Sequence, residues 1–319
     1  MKQMLSFFLY LFIFQACTPT LTPKQKHIPY LDEKDEHATF FVVDDKPMLL
    51  LAGEPLNSTG SYPIRLDEVL TEMNEAHYNT ALIAISWQMI EPEENQFNFT
   101  YVDDLLRIAQ NNEIKIGLLW FGAWKNGISP YAPGWVLSDT KRFQRVRTIS
   151  GENTQTLSPL YEETRNADTK AFVALMDYIA EKDKDRTIIT VQVENEIGVL
   201  GQSRDYSEEA NKAFAENVPD ELINYLTNNR KSLEPELLKK WEESGFKTSG
   251  TWTEIFGDSP LTDLFFMAWH YSHYVDHVAG EGKKSYPLPM FANCWMSQKL
   301  PQTLVPGNFP SGGPVLQVL

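Results

Sequence analysis

Five short, almost unbroken apolar runs, separated by longer amphipathic stretches, constrain this chain more than any other feature. They are Met48–Gly53, Thr80–Trp87, Lys115–Phe121, Thr187–Val193 and Leu288–Asn293. A strand with one wet face alternates polar and apolar residues, so runs without alternation are read as strands covered on both faces. Between them, apolar residues recur at about the 3.6-residue helical period. Leu66, Val69, Leu70 and Met73 mark one helix, Val102, Leu105, Leu106, Ile108 and Ala109 a second, and Phe172, Val173, Leu175, Met176 and Ile179 a third, with Asp168 as its expected N-cap. Strand and helix in alternation imply a parallel sheet. A small hairpin strand, Thr39–Val43, precedes the first run and turns at Asp44–Pro47; residues 200–259 are polar and patchily helical, an insertion after the fourth strand, and Leu261–Val278 is the helix that returns to the fifth.

This order, with polar residues gathered just after each strand, predicts a (β/α)8 TIM barrel whose chemistry sits on the loops at the carboxyl ends of the strands. A complete barrel has eight strands in about 250 residues. Here five strands consume the chain to residue 295, and Met296 to Leu319 read as a Pro/Gly-rich loop and a final apolar run. The expectation is therefore an incomplete barrel, about five of eight βα units, in an amino-terminal fragment.

Charge narrows the function classes. The 319 residues carry 28 Lys and Arg against 43 Asp and Glu, a net −15. No basic surface is available for nucleic acid or for an anionic membrane. The 8 Trp and 13 Tyr suit neutral ring-shaped ligands such as sugars as readily as they suit a core.

Residues 1–16 read as an export signal, with Lys2 followed by the apolar run Leu5–Phe14, too short to span a bilayer. Gln15-Ala16-Cys17 resembles the end of a bacterial lipoprotein signal, which makes Cys17 the lipidated residue, residues 17–38 a tether and residues 39–319 a partial catalytic domain. The expected location is the periplasm or outer membrane of a bacterium, with membrane contact only through the lipid anchor. Cys294, among Phe291, Ala292 and Trp295, reads as a small apolar packing residue.

The sharpest chemical signal is Val191-Gln192-Val193-Glu194-Asn195-Glu196-Ile197-Gly198, where an apolar strand runs straight into a carboxylate flanked by an amide and closed by a glycine turn. Such a carboxylate either acts on a ligand or pairs with a neighbouring loop, and spacing leaves both readings open. Glu194, two residues earlier, is read as a group of the barrel interior. Glu54 and Asn57, after the first strand, either contact substrate hydroxyls or form an exposed turn. Trp87, Trp120 and Trp124, at or past strand ends, serve equally as sugar platforms or as core. Glu254 and Glu281 are not expected to be catalytic. His270, His273 and His277 lie on one helix, where an aromatic packing face outweighs a metal site, so neither a metal nor a cofactor is expected.

Three segments carry a resemblance. The Asn195-Glu196 pair resembles the end of the fourth strand in clan A glycoside hydrolases. Trp87, then Glu91-Pro92-Glu93-Glu94-Asn95-Gln96-Phe97-Asn98-Phe99 leading into Tyr101–Leu106, is similar to the segment after the second strand in the β-galactosidases of families 35 and 42. Leu118-Leu119-Trp120-Phe121-Gly122-Ala123-Trp124 completes the set. The resemblance spans roughly residues 40 to 295. It implies a retaining glycosidase acting on terminal β-galactosides or related β-glycosides of oligo- or polysaccharides, with Glu196 as acid/base and Asn195 on the sugar's 2-hydroxyl. It also puts the nucleophile at the end of a seventh strand, beyond the five read here, so the chain alone is expected to be inactive. The alternative is a surface lipoprotein that binds glycans without cleaving them.

Overall fold

The computed structural model describes residues 27–35 and 38–294. The signal, Cys17, Trp295 and the final Pro/Gly-rich run lie outside the described residues.

The chain opens with an antiparallel meander, β1 (Tyr30–Asp35), β2 (Ala38–Val43) and β3 (Lys46–Pro47). Part of the expected tether, residues 30–35, is thus paired as a strand. Then come β4 (Ala52–Gly53), helix α1 (Pro63–Glu75), β5 (Thr80–Ser86), the short α2 (Trp87–Ile90), α3 (Thr100–Asn111) and β6 (Lys115–Lys125). After a one-turn helix, α4 (Gly134–Ser138), an antiparallel hairpin forms from β7 (Arg145–Arg147) and β8 (Asn153–Leu157), followed by α5 (Glu162–Lys182) and β9 (Ile188–Asn195). The insertion holds α6 (Glu208–Ala215), α7 (Asp220–Asn228), α8 (Pro235–Glu243) and α9 (Trp252–Phe256). The long α10 (Pro260–Ser285) then returns to β10 (Met290–Asn293).

All five expected barrel strands are present in one sheet, ordered β10-β9-β6-β5-β4, and every pairing is parallel. This is an incomplete (β/α)8 barrel, with five strands among the described residues. β9 is buried at all eight positions and β6 at all but its two ends, which accounts for their unalternating sequences. The first strand is shorter than its apolar run. Only Ala52 and Gly53 pair, while Leu49 and Leu51 are exposed and are tied instead to Asn79.

Helix α5 lies against β6, where Trp120 meets Phe172, and α10 packs on α5 so closely that Gly282 has the Phe172 ring in the space a side chain would need. Asp168 does not cap a helix. Helix α5 begins six residues earlier, at Glu162, because Glu162 to Ala167 are helix-compatible residues that show no apolar rhythm, and Asp168 is buried in its interior.

Candidate active site

The ladder between β6 and β9 runs regularly from Gly117 opposite Thr190 to Trp120 opposite Val193, then resumes only at Lys125 opposite Asn195. Five residues of β6 therefore face two of β9, and the strands are splayed by a wide bulge. The rungs missing there are supplied by a side chain. Glu194 accepts the Ala123 N–H and the Trp124 N–H, each at 2.9 Å, one on each carboxyl oxygen. The same carboxyl hydrogen-bonds to the carboxyl of Asp168, which accepts from Trp120 Nε1 at 3.0 Å and from the Tyr274 hydroxyl at 2.9 Å.

Gly122 is what allows these groups to converge. A Cβ there would stand 2.5 Å from Asp168 Oδ1, Glu194 Oε1 and Trp120 Nε1 alike. Burial raises the proton affinity of both carboxyls, and the charge of Asp168 raises that of Glu194 well above the ordinary range. Trp120 and Tyr274 favour the charge on Asp168, so Glu194 is the member that keeps the proton and donates it across the pair.

Above this floor the backbone turns sharply. Glu194 and Glu196 are both left-handed, with φ of 63° and 47°, a conformation that costs a non-glycine residue about 1–3 kcal/mol. The turn is held from every side. Gln192 Nε2 donates to Glu194 O at 2.8 Å and to Asn195 Oδ1 at 3.1 Å; Asn293 Nδ2 donates to Asn195 Oδ1 at 2.9 Å; and Asn195 Nδ2 donates to Asn126 Oδ1 at 3.3 Å. Glu196 N donates to Asn293 O at 2.8 Å and Glu196 O accepts from Gly127 N at 2.9 Å.

The outcome is a fixed main chain with a half-buried Glu196 side chain that makes no hydrogen bond or ion pair among the described residues. Of the two residues expected at the site's centre, Glu196 keeps a carboxyl without a partner among the described residues. Asn195 is buried, its carbonyl oxygen already accepts two donors, and one Nδ2 hydrogen is left to offer.

The other expected residues separate. Trp87, Trp120 and Trp124 are fully buried and present no open face, which corrects the platform reading. Each ring is turned inward by an internal acceptor for its N–H. These are Glu91 Oε2 for Trp87 at 3.0 Å, Asp168 for Trp120, and Leu157 O for Trp124 at 2.9 Å. Trp124 also meets Tyr271 and Tyr274 edge-on.

Glu54 is exposed and Asn57 half-buried beyond β4, and no hydrogen bond among the described residues joins either to the Glu196 turn. Glu254 caps α9 in a reciprocal box with Thr251, and Glu281 pairs with Lys284. His270 packs on Phe266, with its proton affinity pushed down to about 4 by burial, and His273 stacks on Trp269. No group of three metal-binding side chains forms among the described residues. Half-buried Cys294 has its thiol pushed up to about 11 by burial.

Sequence reasoning missed Asp168 as the partner of Glu194, together with Tyr274, Asn126 and Asn293. One signal was available: Gly122 interrupts an apolar strand, and a glycine there marks a bulge or a close approach.

Comparison with known proteins places the chain in a family. The model of glycoside hydrolase family 42, described as beta-galactosidase, matches residues 64–261, more than half of the chain. Beta-galactosidase Pbg of Clostridium perfringens is 32% identical over 131 residues, which are 39% of this chain and 17% of that protein. The crystal structure of beta-galactosidase from Bacillus circulans sp. alkalophilus superposes with a TM-score of 0.52 at 17% identity over 77% of this chain and 36% of that one. A beta-galactosidase from the Antarctic haloarchaeon Halorubrum lacusprofundi gives 0.51 at 16% identity, again over 77% and 36%. At these identities the two structures speak for the fold alone. The chain spans about a third of the length of these solved structures and 17% of the curated relative. With its family model covering β5, β6, β9 and the turn at Glu196, the chain belongs to glycoside hydrolase family 42.

Proposed function

We propose that the described half-barrel carries the acid/base side of a retaining β-galactosidase-like site, with Glu196 as proton donor and Asn195 contributing one amide hydrogen to a sugar hydroxyl. One observation carries the reading: a carboxyl side chain without a partner among the described residues stands on a main chain fixed by its neighbours at the carboxyl end of β9. Cleavage of a glycosidic bond needs a proton on the leaving oxygen, and in retaining enzymes a second carboxylate about 5–5.5 Å away as nucleophile. Glu194 cannot be that nucleophile, since both its oxygens are spent on the floor of the site. The described residues offer no other at the β9 turn. Hydrolysis is therefore not expected of the 319-residue chain by itself.

In any preparation that hydrolyses galactosides, Glu196→Gln is expected to slow an unactivated substrate by about 100-fold or more while sparing an activated aryl galactoside, which needs no proton. Equal loss on both would overturn the assignment, and so would no loss. Retention is checked by following the anomer first released.

The second reading, glycan binding without cleavage, is favoured by the same single carboxylate. Titration of the chain with a β-galactoside separates it from the first: saturable binding without turnover supports it. Export and anchoring rest on residues 1–17. Metabolic labelling with palmitate is expected to mark the wild type and to be lost in Cys17→Ser.

A further inference from the structure

In so acidic a chain many cations find acids. Arg142, for instance, lies between Glu94 and Glu163. Arg145, at the start of β7, does not. It is 7% exposed, its Nη2 donates to Leu137 O at 2.9 Å, its Nη1 has no hydrogen-bond partner among the described residues, and no carboxylate there pairs with it. Burial without a counter-charge lowers its proton affinity, the mark of a cation held where nothing yet compensates it.

Arg145 lines a cavity of about 400 Å³, within the range of small-ligand sites. The polar part of the wall is Ser129, Thr140, Asn153, Thr154 and Gln155, and no Asp or Glu lines it. The hydroxyls of Ser129 and Thr154 accept the Leu157 and Thr156 N–H groups, which leaves their own hydrogens to donate. The wall is therefore rich in free donors, with one cation and no anion.

The cavity wall is also tied through the backbone to the turn at Glu196. The loop that supplies Ser129 is bonded to that turn two residues earlier, through Gly127 N on Glu196 O, and is locked to β8 by Thr156 Oγ1 on Gly127 O at 2.8 Å.

We propose that this cavity is a subsite for an oxyanion carried on the glycan, a uronate carboxylate or a sulfate ester, held by Arg145 and the surrounding hydroxyl and amide donors beside the sugar that Glu196 addresses. The inference rests on the glycosidase reading and narrows its substrate class to anionic glycans. It is tested by binding alone, so that hydrolysis can fail without deciding it.

Calorimetric titration of the full chain with galactose, galacturonate, galactose 6-sulfate and inorganic sulfate is expected to give at least one acidic sugar about tenfold tighter than galactose, as a charge-assisted hydrogen bond allows. Which acid wins tells carboxylate from sulfate. In Arg145→Met that preference is expected to vanish. If that variant does not fold, Arg145→Gln, which keeps a donor for Leu137 O, and the rim variant Gln155→Leu replace it, and both should weaken the acidic sugars more than galactose. Equal affinity for galactose and both acidic sugars in the wild type would overturn the proposal. Inorganic sulfate binding as tightly as the sugar acids would overturn the glycan assignment. An acid preference that survives in Arg145→Met would overturn the role of the guanidinium.

Discussion

Two glutamates are sealed on either side of β6, and they are neutralised in opposite ways. Glu91, just beyond β5 and α2, is fully buried; it accepts from Trp87 Nε1, from Asn95 N and from Lys170 Nζ at 3.0 Å. Glu194, at the end of β9, is equally buried but faces another carboxyl, Asp168. Both partners come from α5, two residues apart, so one helix offers a cation to one flank of β6 and an acid to the other. The clasp with a cation resolves its charge by attraction, and the clasp with an acid resolves it by keeping a proton. The Trp87…Glu91-Pro92 segment that resembles family members is, in this chain, a structural tie rather than a sugar contact.

The first of the two largest expected effects tests whether the second clasp needs its close approach. Gly122→Ala should cost about 3 kcal/mol or more, because three buried polar atoms would each have to move away from the new methyl group. Denaturant titration with a loss under about 1 kcal/mol would mean that the groups do not converge.

Removing the acid is the second. Glu194→Ala should cost about 4 kcal/mol, since it strands the Ala123 and Trp124 N–H groups and leaves Asp168 buried without its proton donor, whereas Glu194→Gln, which still donates to Asp168 and strands only one of the two N–H groups, should cost about 2 kcal/mol. Similar losses for the two variants would argue against a shared proton.

The pH dependence sharpens the contrast further. The folded proton affinity of the Glu194 and Asp168 carboxyls lies above that of the unfolded chain. Their contribution is thus fully present below the ordinary carboxylate range and is lost as pH rises through the folded value, where the native state must release a proton it holds tightly. Thermal melts across pH should show Glu194→Gln losing less stability than wild type on the alkaline side, and parallel profiles would refute the pair.

The smallest effect belongs to the other clasp. Lys170 is 42% exposed, so water shares its charge, and Lys170→Met should cost only about 1 kcal/mol. A loss matching that of Glu194→Ala would erase the distinction between the two sides.

The sheet was legible because burial on both faces writes itself as unbroken apolar runs, and all five strands lie where those runs are. The reach of each was not: Leu49 and Leu51 look like strand core but sit exposed on the sheet's edge. Glu196 could be singled out because a polar cluster ends an apolar strand. Its neighbours could not. Asp168 precedes an apolar helical rhythm, as a cap would, and only the packing of α5 beneath β6 reveals it as an interior acid. Trp87, Trp120 and Trp124 have the same local sequence signature whether an indole faces inward or outward, and the internal acceptors that decide it come from up to 48 residues away. Arg145 gives no local sign at all, since its significance lies in the absence of an acid near it in space.

The bulge in β6 has one more consequence. The amides of Ala123 and Trp124 lie within a strand, near its carboxyl end, yet answer to a side chain instead of a neighbouring backbone. Their deuterium exchange should follow the ionisation of two acids, while amides a few residues away report only the opening of the sheet. Two backbone positions thereby become an internal gauge of whether the floor beneath Glu196 is closed.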